Sequence, residues 1–346
     1  MSIQAAMGLA RGLDGREAAV AAVQQASSQM GGVRPAAGLV FVSQEFNPAD
    51  SLAALRNSLP NTAFWGASTV CPLKPGGEAS RSVLVLLLGG GDLQARAYWY
   101  GGYAQNSAQA AKNLAQDMVS DLGAVQALLL AADGMNGDPA LLMDVLQPLN
   151  LATAGCLAGG DVTQARSVQI SGAQAASGGL AGLVLSGRLR LGCGSASAWK
   201  KTGLYYRITQ SRGLWIQGLD EKLPAEIYSQ AFHYPAREWG FPPLKTLVRQ
   251  YPLGVNLPES GDLLAHAPLH MEVDGSMRVN IPLAGGQVAH LLAGDPQAAP
   301  DAASQAARRA IENLQGAKPL AALAFVDEAY RVLLQSTGDL SFGSHK

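Results

Sequence analysis

An internal repeat constrains the fold of this 346-residue chain more than any other feature of its sequence. Residues 38–59 read GLVFVSQEFNPADSLAALRNSL, and residues 127–148 read ALLLAADGMNGDPALLMDVLQP. Each segment predicts an apolar strand, a polar turn with proline at the start of a helix, and an amphipathic helix. Each is followed by a short strand that ends in small residues, GASTV at 66–70 and GCLAGGD at 155–161. The same order of elements at two places indicates an internal duplication.

A hairpin is predicted at the end of each repeat, because glycines separate two strand-like stretches there. The first reads LVLLLGGGDLQ at 84–94, and the second reads AGLVLSGRLRL at 181–191. The predicted repeats therefore cover about residues 38–100 and 127–194. This pattern predicts a duplicated strand-helix-strand-hairpin unit within an N-terminal domain at residues 1–212.

The sequence after residue 212 has a different composition, with frequent proline and glycine. A helix is predicted within residues 220–232, and the Asp274-Gly275 dipeptide predicts a β-hairpin over residues 269–281. Residues 321–325 predict a final strand. We therefore expect a second, smaller α+β domain at residues 213–346. The expected fold class is α/β, or mixed α+β, with helices covering mixed sheets.

Composition excludes several classes of protein. The 25 Lys+Arg and 26 Asp+Glu give a net charge of −1, whereas a nucleic-acid-binding protein normally carries a clustered basic surface. The longest apolar stretches, residues 83–88 and 180–185, are far shorter than the roughly 20 residues of a membrane span. Charged residues between positions 11 and 17 interrupt any signal-peptide core, and three cysteines are too few for a disulfide framework. We expect a cytoplasmic protein that binds neither nucleic acid nor membrane.

A series of short motifs resembles the FIST proteins, bacterial sensory modules with an N-terminal and a C-terminal FIST domain. LVFVSQEFNPADSLAALRNSLPNTAFWGAST is similar to the family's strand, helix and GxSSxG loop. LLLAADG resembles its DG strand end, and GCLAGGD resembles its GGxAxD loop. SAWKKTG is similar to HGWxPxG, GLDEKLPAEIY to ELDGxPAxxxY, and YPLGV to FPLGI. The motifs occur in the family's order over most of the chain.

The sequence also departs from the family's pattern. Val70-Cys71 stands where the small-residue loop usually has glycine, and Ser197-Ala198 stands where the family has His-Gly before Trp199. Glu221 replaces a glycine, and residues 324–334 lack the cysteine and the first arginine of an FxCxxR motif. A function that needs the missing histidine or cysteine is therefore in doubt for this chain.

The resemblance implies a stand-alone sensor that binds a small polar, amino-acid-like metabolite and signals to a separate output protein. The small-residue loops favour a pocket at strand ends, because free backbone N–H groups and the lack of Cβ atoms let a ligand approach. Trp199 would supply a stacking face and Lys200 a cation. The predicted ligand-binding residues are Gly66, Ser68, Thr69, Asp133, Gly155, Gly160, Asp161, Trp199 and Lys200.

Each of these residues also has a purely structural interpretation. The loops could be tight turns that pack the two repeats together, Asp133 and Asp161 could be turn residues that bind their own backbone, and Trp199 could lie at a domain boundary. We expect no catalytic activity, no metal and no cofactor.

Other functional classes stay open. A protein-interaction module without a small ligand is the main alternative, with the aromatic segment HYPAREW at 233–239 as its surface. A serine hydrolase would use Ser68, but Val70 disrupts the G-x-S-x-G motif. A haem-based gas sensor would need an axial ligand where the chain has Ser197. Whether the three cysteines cluster cannot be read from their spacing.

Overall fold

The computed structural model describes residues 2–74, 77–119, 125–257 and 262–335. The chain divides into two compact units. Unit 1 holds the residues up to Gly194 together with Ala306–Phe325, and unit 2 holds Ser195–Gln305 and the described residues from Val326 onward. The sequence-based division into 1–212 and 213–346 stays a prediction for the family's domains, since the compact units divide the chain at other residues.

Unit 1 is built from short strands and four helices in the part of the chain that the structure describes. The strands are β1 (Gln4–Arg11), β2 (Pro35–Ser43), β3 (Ala63–Thr69), β4 (Leu73–Lys74), β5 (Gly77–Glu78), β6 (Ser82–Gly89), β7 (Gln94–Tyr100), β8 (Val125–Asp133), β9 (Thr153–Ala158), β10 (Gly160–Asp161), β11 (Arg166–Ser167), β12 (Gln169–Ser171), β13 (Gln174–Ala176) and β14 (Leu180–Ser186). The helices are α1 (Gly15–Gln29), α2 (Pro48–Ser58), α3 (Ser107–Met118) and α4 (Pro139–Leu146), and a 3-10 turn follows at Gln147–Leu149.

Helix starts in unit 1 follow local sequence signals. The Asp14 carboxylate accepts hydrogen bonds from the backbone N–H groups of Arg16 and Glu17 at the start of α1. Asn47 caps α2, and Pro48 occupies its first turn. Such caps satisfy N–H groups that have no partner within the helix. The helix α2 therefore begins where the sequence predicts.

Two sheets of unit 1 carry the same arrangement of strands. The first sheet has the order β1-β6-β2-β3-β12-β13, and the second has the order β7-β14-β8-β9. The pairs β2–β3 and β8–β9 are parallel, and the other pairs in both sheets are antiparallel. The strands β1, β2, β3 and β6 of the first sheet correspond, in chain order, to β7, β8, β9 and β14 of the second. In each set of four, one helix follows the first strand in the chain and another follows the second. The duplication that the sequence predicts thus begins one strand and one helix earlier, at β1 and β7.

The two predicted hairpins are wrong. β6 pairs with β1 and β2 in the first sheet, whereas β7 pairs with β14 in the second. β14 lies between β7 and β8, and the residues after it form no strand until Trp199. Both β6 and β14 have neighbours on each side, so neither has a free edge for a hairpin partner. Gly90 and Gly91, with φ of 85° and 61°, let the chain leave the first sheet instead.

The two sheets pack through their inner faces. The shared core contains Leu39, Phe41 and Trp65 from the first sheet and Leu129 and Leu183 from the second. The outer faces are covered by α1 and α2 on the first sheet and by α3 and α4 on the second. Unit 1 is therefore a four-layer arrangement of helices, sheet, sheet and helices.

Unit 2 is built on one antiparallel sheet of the order β18-β17-β21-β15-β16-β20-β19. Its strands are β15 (Trp199–Arg212), β16 (Trp215–Leu219), β17 (Leu253–Asn256), β18 (Leu263–His266), β19 (Pro268–Met271), β20 (Met277–Val279) and β21 (Val288–Gly294). The remaining helices of the chain are α5 (Pro224–Phe232), α6 (Leu244–Leu247), α7 (Ala299–Asn313) and α8 (Glu328–Gln335), with 3-10 turns at Ala236–Gly240, Val248–Gln250 and Pro296–Ala298.

Two sequence predictions for this part of the chain are confirmed and one is wrong. α5 forms where the helix was predicted, and β19 pairs with β20 around Asp274-Gly275. Residues 321–325, by contrast, form no strand. Leu323 packs against the inner core of unit 1, and the Phe325 ring lies against Phe41 at 5.8 Å between centroids, while the alanines of this segment are exposed. An apolar pattern predicts that residues are buried, but a strand forms only where the edge of a sheet is free to pair with it.

Candidate functional site

The predicted site residues lie on strands of both units. In unit 1 they lie on β3, at the end of β8, and on β9 and β10, and in unit 2 they lie on β15. The residues on unit 1 are Gly66, Ser68, Thr69, Asp133, Gly155, Gly160 and Asp161, and those on unit 2 are Trp199 and Lys200.

Ser68 joins the ends of β3 and β9 directly. Its hydroxyl donates to the Gly159 carbonyl oxygen at 2.6 Å and accepts from the Val168 N–H at 2.8 Å. The Ser68 N–H donates to the Val168 carbonyl oxygen at 2.8 Å. The side chain is 5% exposed. Hydrogen bonds therefore join the two small-residue segments. The Ser68 hydroxyl is engaged with the backbone of Gly159 and Val168.

Asp133 is the centre of a buried polar network at the end of β8. Its Oδ1 accepts from the N–H groups of Met135 and Asn136 and from the Ser167 hydroxyl, at 2.8, 3.2 and 2.9 Å. Its Oδ2 accepts from the Gly178 N–H at 2.9 Å. The residue is 2% exposed. A carboxylate with this many donors fixes the surrounding loops, as a buried charge must be hydrogen-bonded to be tolerated.

Ser167 and Gln169 extend this network. The Ser167 hydroxyl accepts from the Gly134 N–H at 3.1 Å and from the Gln169 amide at 3.0 Å. The Gln169 Oε1 in turn accepts from the Gly179 N–H at 2.9 Å. Sequence reasoning missed both residues, because an isolated serine or glutamine carries no signal of burial.

Asp161 binds its own turn. Its Oδ1 accepts from the Thr163 N–H and hydroxyl and from the Gln164 N–H, at 2.8, 2.6 and 3.2 Å. The Thr163 hydroxyl holds the pKa of the Asp161 carboxyl below its usual value. This geometry matches the turn interpretation that the sequence left open.

Gly66, Gly155 and Gly160 lie at close backbone contacts. Gly66 pairs with Val40 and Gly155 with Leu130 in the two parallel strand pairs, and Gly160 pairs with Ser167. At Gly160, a Cβ would lie 2.2 Å from the Arg166 carbonyl oxygen. These glycines let strands approach each other.

Trp199 and Lys200 each have a partner inside unit 2. The Trp199 indole is 6% exposed and stacks on the Tyr330 ring of α8 at 5.0 Å between centroids. The Lys200 ammonium pairs with Asp295 at 2.5 Å and lowers the pKa of that carboxyl. Sequence reasoning found the stacking face of Trp199 but missed Tyr330, which lies far along the chain.

A groove of about 370 Å³ lies elsewhere in unit 1, where the starts of α1 and α2 meet. It is lined by Leu13, Asp14, Gly15, Arg16, Glu45, Phe46, Asn47, Asp50 and Arg81. Sequence reasoning missed it, although the capping residues Asp14 and Asn47 mark the two helix starts that form it.

Charges of both signs line this groove. Arg16 of α1 pairs with Asp50 of α2 at 2.8 Å, and this hydrogen bond lowers the pKa of the Asp50 carboxyl. The Arg81 guanidinium donates to the Leu13 carbonyl oxygen at 2.9 Å and lies 5.5 Å from the Phe46 ring centroid. These contacts fix one edge of the Arg81 guanidinium.

Arg81 has a backbone φ of 49°, in the left-handed region that side chains other than glycine, asparagine and aspartate rarely adopt. Such strain costs on the order of 1 kcal/mol and concentrates at functional positions.

A comparison with protein-family models matches the FIST N domain to residues 36–222, which is more than half of the chain. The chain belongs to the FIST family. The FIST domain is a sensory, signal-transduction domain that is thought to bind small ligands. The matched residues include Glu45, Asp50 and Arg81 of the groove and the whole Ser68 and Asp133 networks. The resemblance of the remaining residues to the C-terminal FIST domain stays a prediction.

Two further comparisons concern curated proteins and solved structures. A comparison with curated proteins gives no match. Among solved structures, the cyanuric acid hydrolase from A. caulinodans is similar at 12% identity and a TM-score of 0.29. That similarity covers 54% of this chain and 72% of the hydrolase.

Groups for metal or redox chemistry are sparse in the described part of this FIST protein. No cluster of three or more His, Cys, Asp or Glu side chains there is arranged to hold a metal ion. Cys71, Cys156 and Cys193 form no disulfide bonds, and burial raises the pKa of Cys156 to about 12. Such a thiol is a poor nucleophile. In the residues that the structure describes, no helix is both long and apolar enough to cross a bilayer.

Proposed function

We propose that this FIST protein senses a small, polar, amino-acid-like metabolite and passes the signal to a separate output protein in the cytoplasm. Membership of a sensory family supports the general role. The observation that carries the specific proposal is the groove of unit 1, whose wall combines guanidinium and carboxylate groups at the starts of two helices.

The groove matches the chemistry of an amino acid. The edge of Arg81 that is not bound to Leu13 would take the ligand's carboxylate, since guanidinium and carboxylate match in a two-bond geometry. The exposed Glu45 carboxylate would take the ammonium group. A volume of about 370 Å³ lies at the small end of the range for ligand sites, as a metabolite of this size requires.

A route for the signal is also present at the groove. The Arg16–Asp50 ion pair joins the first turns of α1 and α2. A zwitterion bound beside this pair would compete with it and change the relative stability of the two helix starts. A ligand transmits a signal only through such differential affinity for two conformations.

The residues predicted from the sequence offer an alternative ligand site. Ser68, Thr69, Asp133, Gly160 and Asp161 lie at or just beyond the ends of β3, β8 and β9, whereas Gly66 and Gly155 lie within β3 and β9. Ser68 and Asp133 already bind protein partners, so a ligand at this place would have to replace those hydrogen bonds. In the groove, a ligand would bind the edge of Arg81 that Leu13 does not occupy, and would compete with the Ser43 hydroxyl for Glu45 and with the Arg16–Asp50 pair.

A thermal-shift screen of the twenty amino acids and common organic acids, followed by calorimetry, tests the proposal. A ligand at 100 times its dissociation constant adds about 2.7 kcal/mol of stability. We expect Arg81→Gln to weaken binding by about tenfold or more, and Arg56→Gln, an exposed arginine of α2, to leave it unchanged. Loss of binding in Trp199→Ala or Ser68→Ala, but not in Arg81→Gln, would instead assign the ligand to the sequence-predicted residues. If none of these compounds binds, the amino-acid proposal is rejected.

A protein-interaction module is the second candidate, and one observation favours it. Tyr234 and Phe241 are 48% and 54% exposed beside the buried Trp239 of unit 2, within and next to the aromatic segment predicted from the sequence. Exposed aromatic side chains are typical of binding hot spots. If the ligand screen gives no hit, Tyr234→Ser and Phe241→Ser are the variants with which to test binding to a candidate output protein.

A further inference from the structure

The Tyr330 side chain packs into a small apolar cluster of unit 2 around Trp199. Its ring lies on the Trp199 indole at 5.0 Å between centroids, with an angle of 26° between the ring planes. Leu292, which is fully buried, and the partly buried Leu263 and Ala265 belong to the same apolar cluster. Such an offset stack on a buried indole favours a planar aromatic group over an aliphatic one.

Two polar groups converge on the Tyr330 oxygen. The Ala198 N–H donates to it at 2.7 Å, and the Ser197 hydroxyl lies 3.1 Å from it. The Ser197 hydroxyl also accepts from the Trp199 N–H at 3.2 Å, which orients it. The site therefore recognises a ring and an oxygen acceptor at a fixed separation, which is the chemistry of a phenol.

Tyr330 lies on a short helix whose first residues also contact the rest of unit 2. α8 is eight residues long, and Glu328 pairs with Arg249 at 3.4 Å. Asp327 accepts from the Ala329 N–H at 2.9 Å at the start of the helix. Residues 318–327, which lead into α8, form neither helix nor strand. An isolated helix of this length is not stable in water, so α8 depends on its tertiary contacts, those of Tyr330 among them.

We propose that the Trp199 face of unit 2 is a binding site for small phenols, and that Tyr330 closes it as an intramolecular competitor. A free phenol would take the place of the Tyr330 ring, accept the same hydrogen bonds from Ala198 and Ser197, and release α8. This inference is independent of the amino-acid groove, because none of the groove's residues takes part.

The competition has a quantitative consequence. A ligand that binds only the open form has its apparent dissociation constant raised by the inverse of the open fraction. Removing the Tyr330 ring opens the site permanently, so the variant should bind a phenol more tightly than the unmodified chain.

Calorimetry with p-cresol, which is the side chain of tyrosine as a free molecule, tests the proposal on the full chain. We expect Tyr330→Ala to bind p-cresol about tenfold or more tightly than the unmodified protein, and Tyr330→Phe, which keeps the ring but not the oxygen, to lie between them. Toluene has the same ring without the oxygen and should bind Tyr330→Ala about tenfold more weakly. Adding Ser197→Ala to Tyr330→Ala should weaken p-cresol binding several-fold, about the value of one hydrogen bond.

A second measurement uses the unmodified chain and does not depend on how Tyr330→Ala folds. Saturating p-cresol should accelerate tryptic cleavage at Arg331 of α8 and leave cleavage at Arg56 of α2 unchanged. Equal affinities of Tyr330→Ala and the unmodified protein for p-cresol, or equal binding of toluene and p-cresol, would overturn the proposal. So would an unchanged rate of cleavage at Arg331 under p-cresol, whatever the variants show.

Discussion

Gly66 and Val40 face each other across the parallel strands β2 and β3 with no room for a side chain at position 66. A Cβ there would lie 1.7 Å from the Val40 carbonyl oxygen. The second repeat has the same relationship, since a Cβ at Gly155 would lie 2.1 Å from the Leu130 carbonyl oxygen. The two glycines occupy equivalent places in the duplicated units, which supports a structural reason for both.

We expect Gly66→Ala to lower the free energy of unfolding by about 3 kcal/mol or more, because the added methyl group meets backbone that cannot move aside. Gly155→Ala should cost less, since β9 is an edge strand that can shift. Urea denaturation measures both changes. Gly285→Ala is the matched control, as nothing lies within 4 Å of a Cβ at that position. Equal stability of Gly66→Ala and Gly285→Ala would contradict the close contact.

Ser68→Ala tests the hydrogen bonds that join the two small-residue loops. The variant leaves the Val168 N–H and the Gly159 carbonyl oxygen without the Ser68 hydroxyl. Leaving buried polar groups unsatisfied costs about 1–3 kcal/mol, and we expect a loss near the upper end of that range. Ser58→Ala, which removes an exposed hydroxyl from α2, should change stability by less than about 0.5 kcal/mol. Similar losses in the two variants would show that the bonds of Ser68 contribute little.

Asp133→Asn tests the buried network at the end of β8. Every hydrogen bond described for the Asp133 carboxylate is one that it accepts. In an asparagine side chain, the NH2 group would replace one carboxylate oxygen. This donor would then face N–H or O–H groups that are also donors. We expect a loss of about 2–4 kcal/mol in chemical denaturation, although the side chain keeps its shape. Asp144→Asn, on the exposed side of α4, is the control and should be nearly neutral. If Asp133→Asn left the free energy of unfolding unchanged, the carboxylate would not stabilise the network.

Local signals predicted much of the fold. The proline at the start of α2 and the Asp274-Gly275 turn act within a few residues, and both predictions are confirmed, whereas most of the predicted small-residue loops lie in β3, β9 and β10. The pairing of β6 and β14 was not predictable in this way, since it depends on strands far away in the sequence. β1 escaped prediction because QAAMGLAR is rich in alanine and glycine, which have weak strand propensity.

The sequence predicted the candidate site less completely. Small residues at 66–70 and 155–161 correctly indicated strand ends that come together, but not that Ser68 would close the space between them. Arg81 and Tyr330 gave no sequence signal, because one depends on a left-handed backbone and the other on a stack with a residue more than 100 positions away. Contacts of this kind are set by tertiary packing.

His266 makes the stability of the protein depend on pH in a predictable direction. The side chain is 5% exposed, its Nδ1 lies 3.1 Å from the Ile281 carbonyl oxygen, and burial lowers its pKa below the usual value of about 6.5. The unfolded chain therefore takes up a proton near pH 6.5, whereas the folded chain does so only at lower pH. The free energy of unfolding should fall as the pH drops below 6.5, by at most about 1.4 kcal/mol per pH unit from this group.

His266→Asn isolates this contribution, since asparagine keeps an N–H donor near the Ile281 carbonyl oxygen but does not titrate. Urea denaturation between pH 7 and pH 5 should give a smaller loss of stability for His266→Asn than for the unmodified protein. Other groups contribute in the same range, because burial also lowers the pKa of His290 and raises that of Asp327. The difference between the two proteins cancels those contributions. His233→Asn replaces an exposed histidine and should keep the slope of the unmodified protein, so equal slopes in all three proteins would refute the assignment to His266.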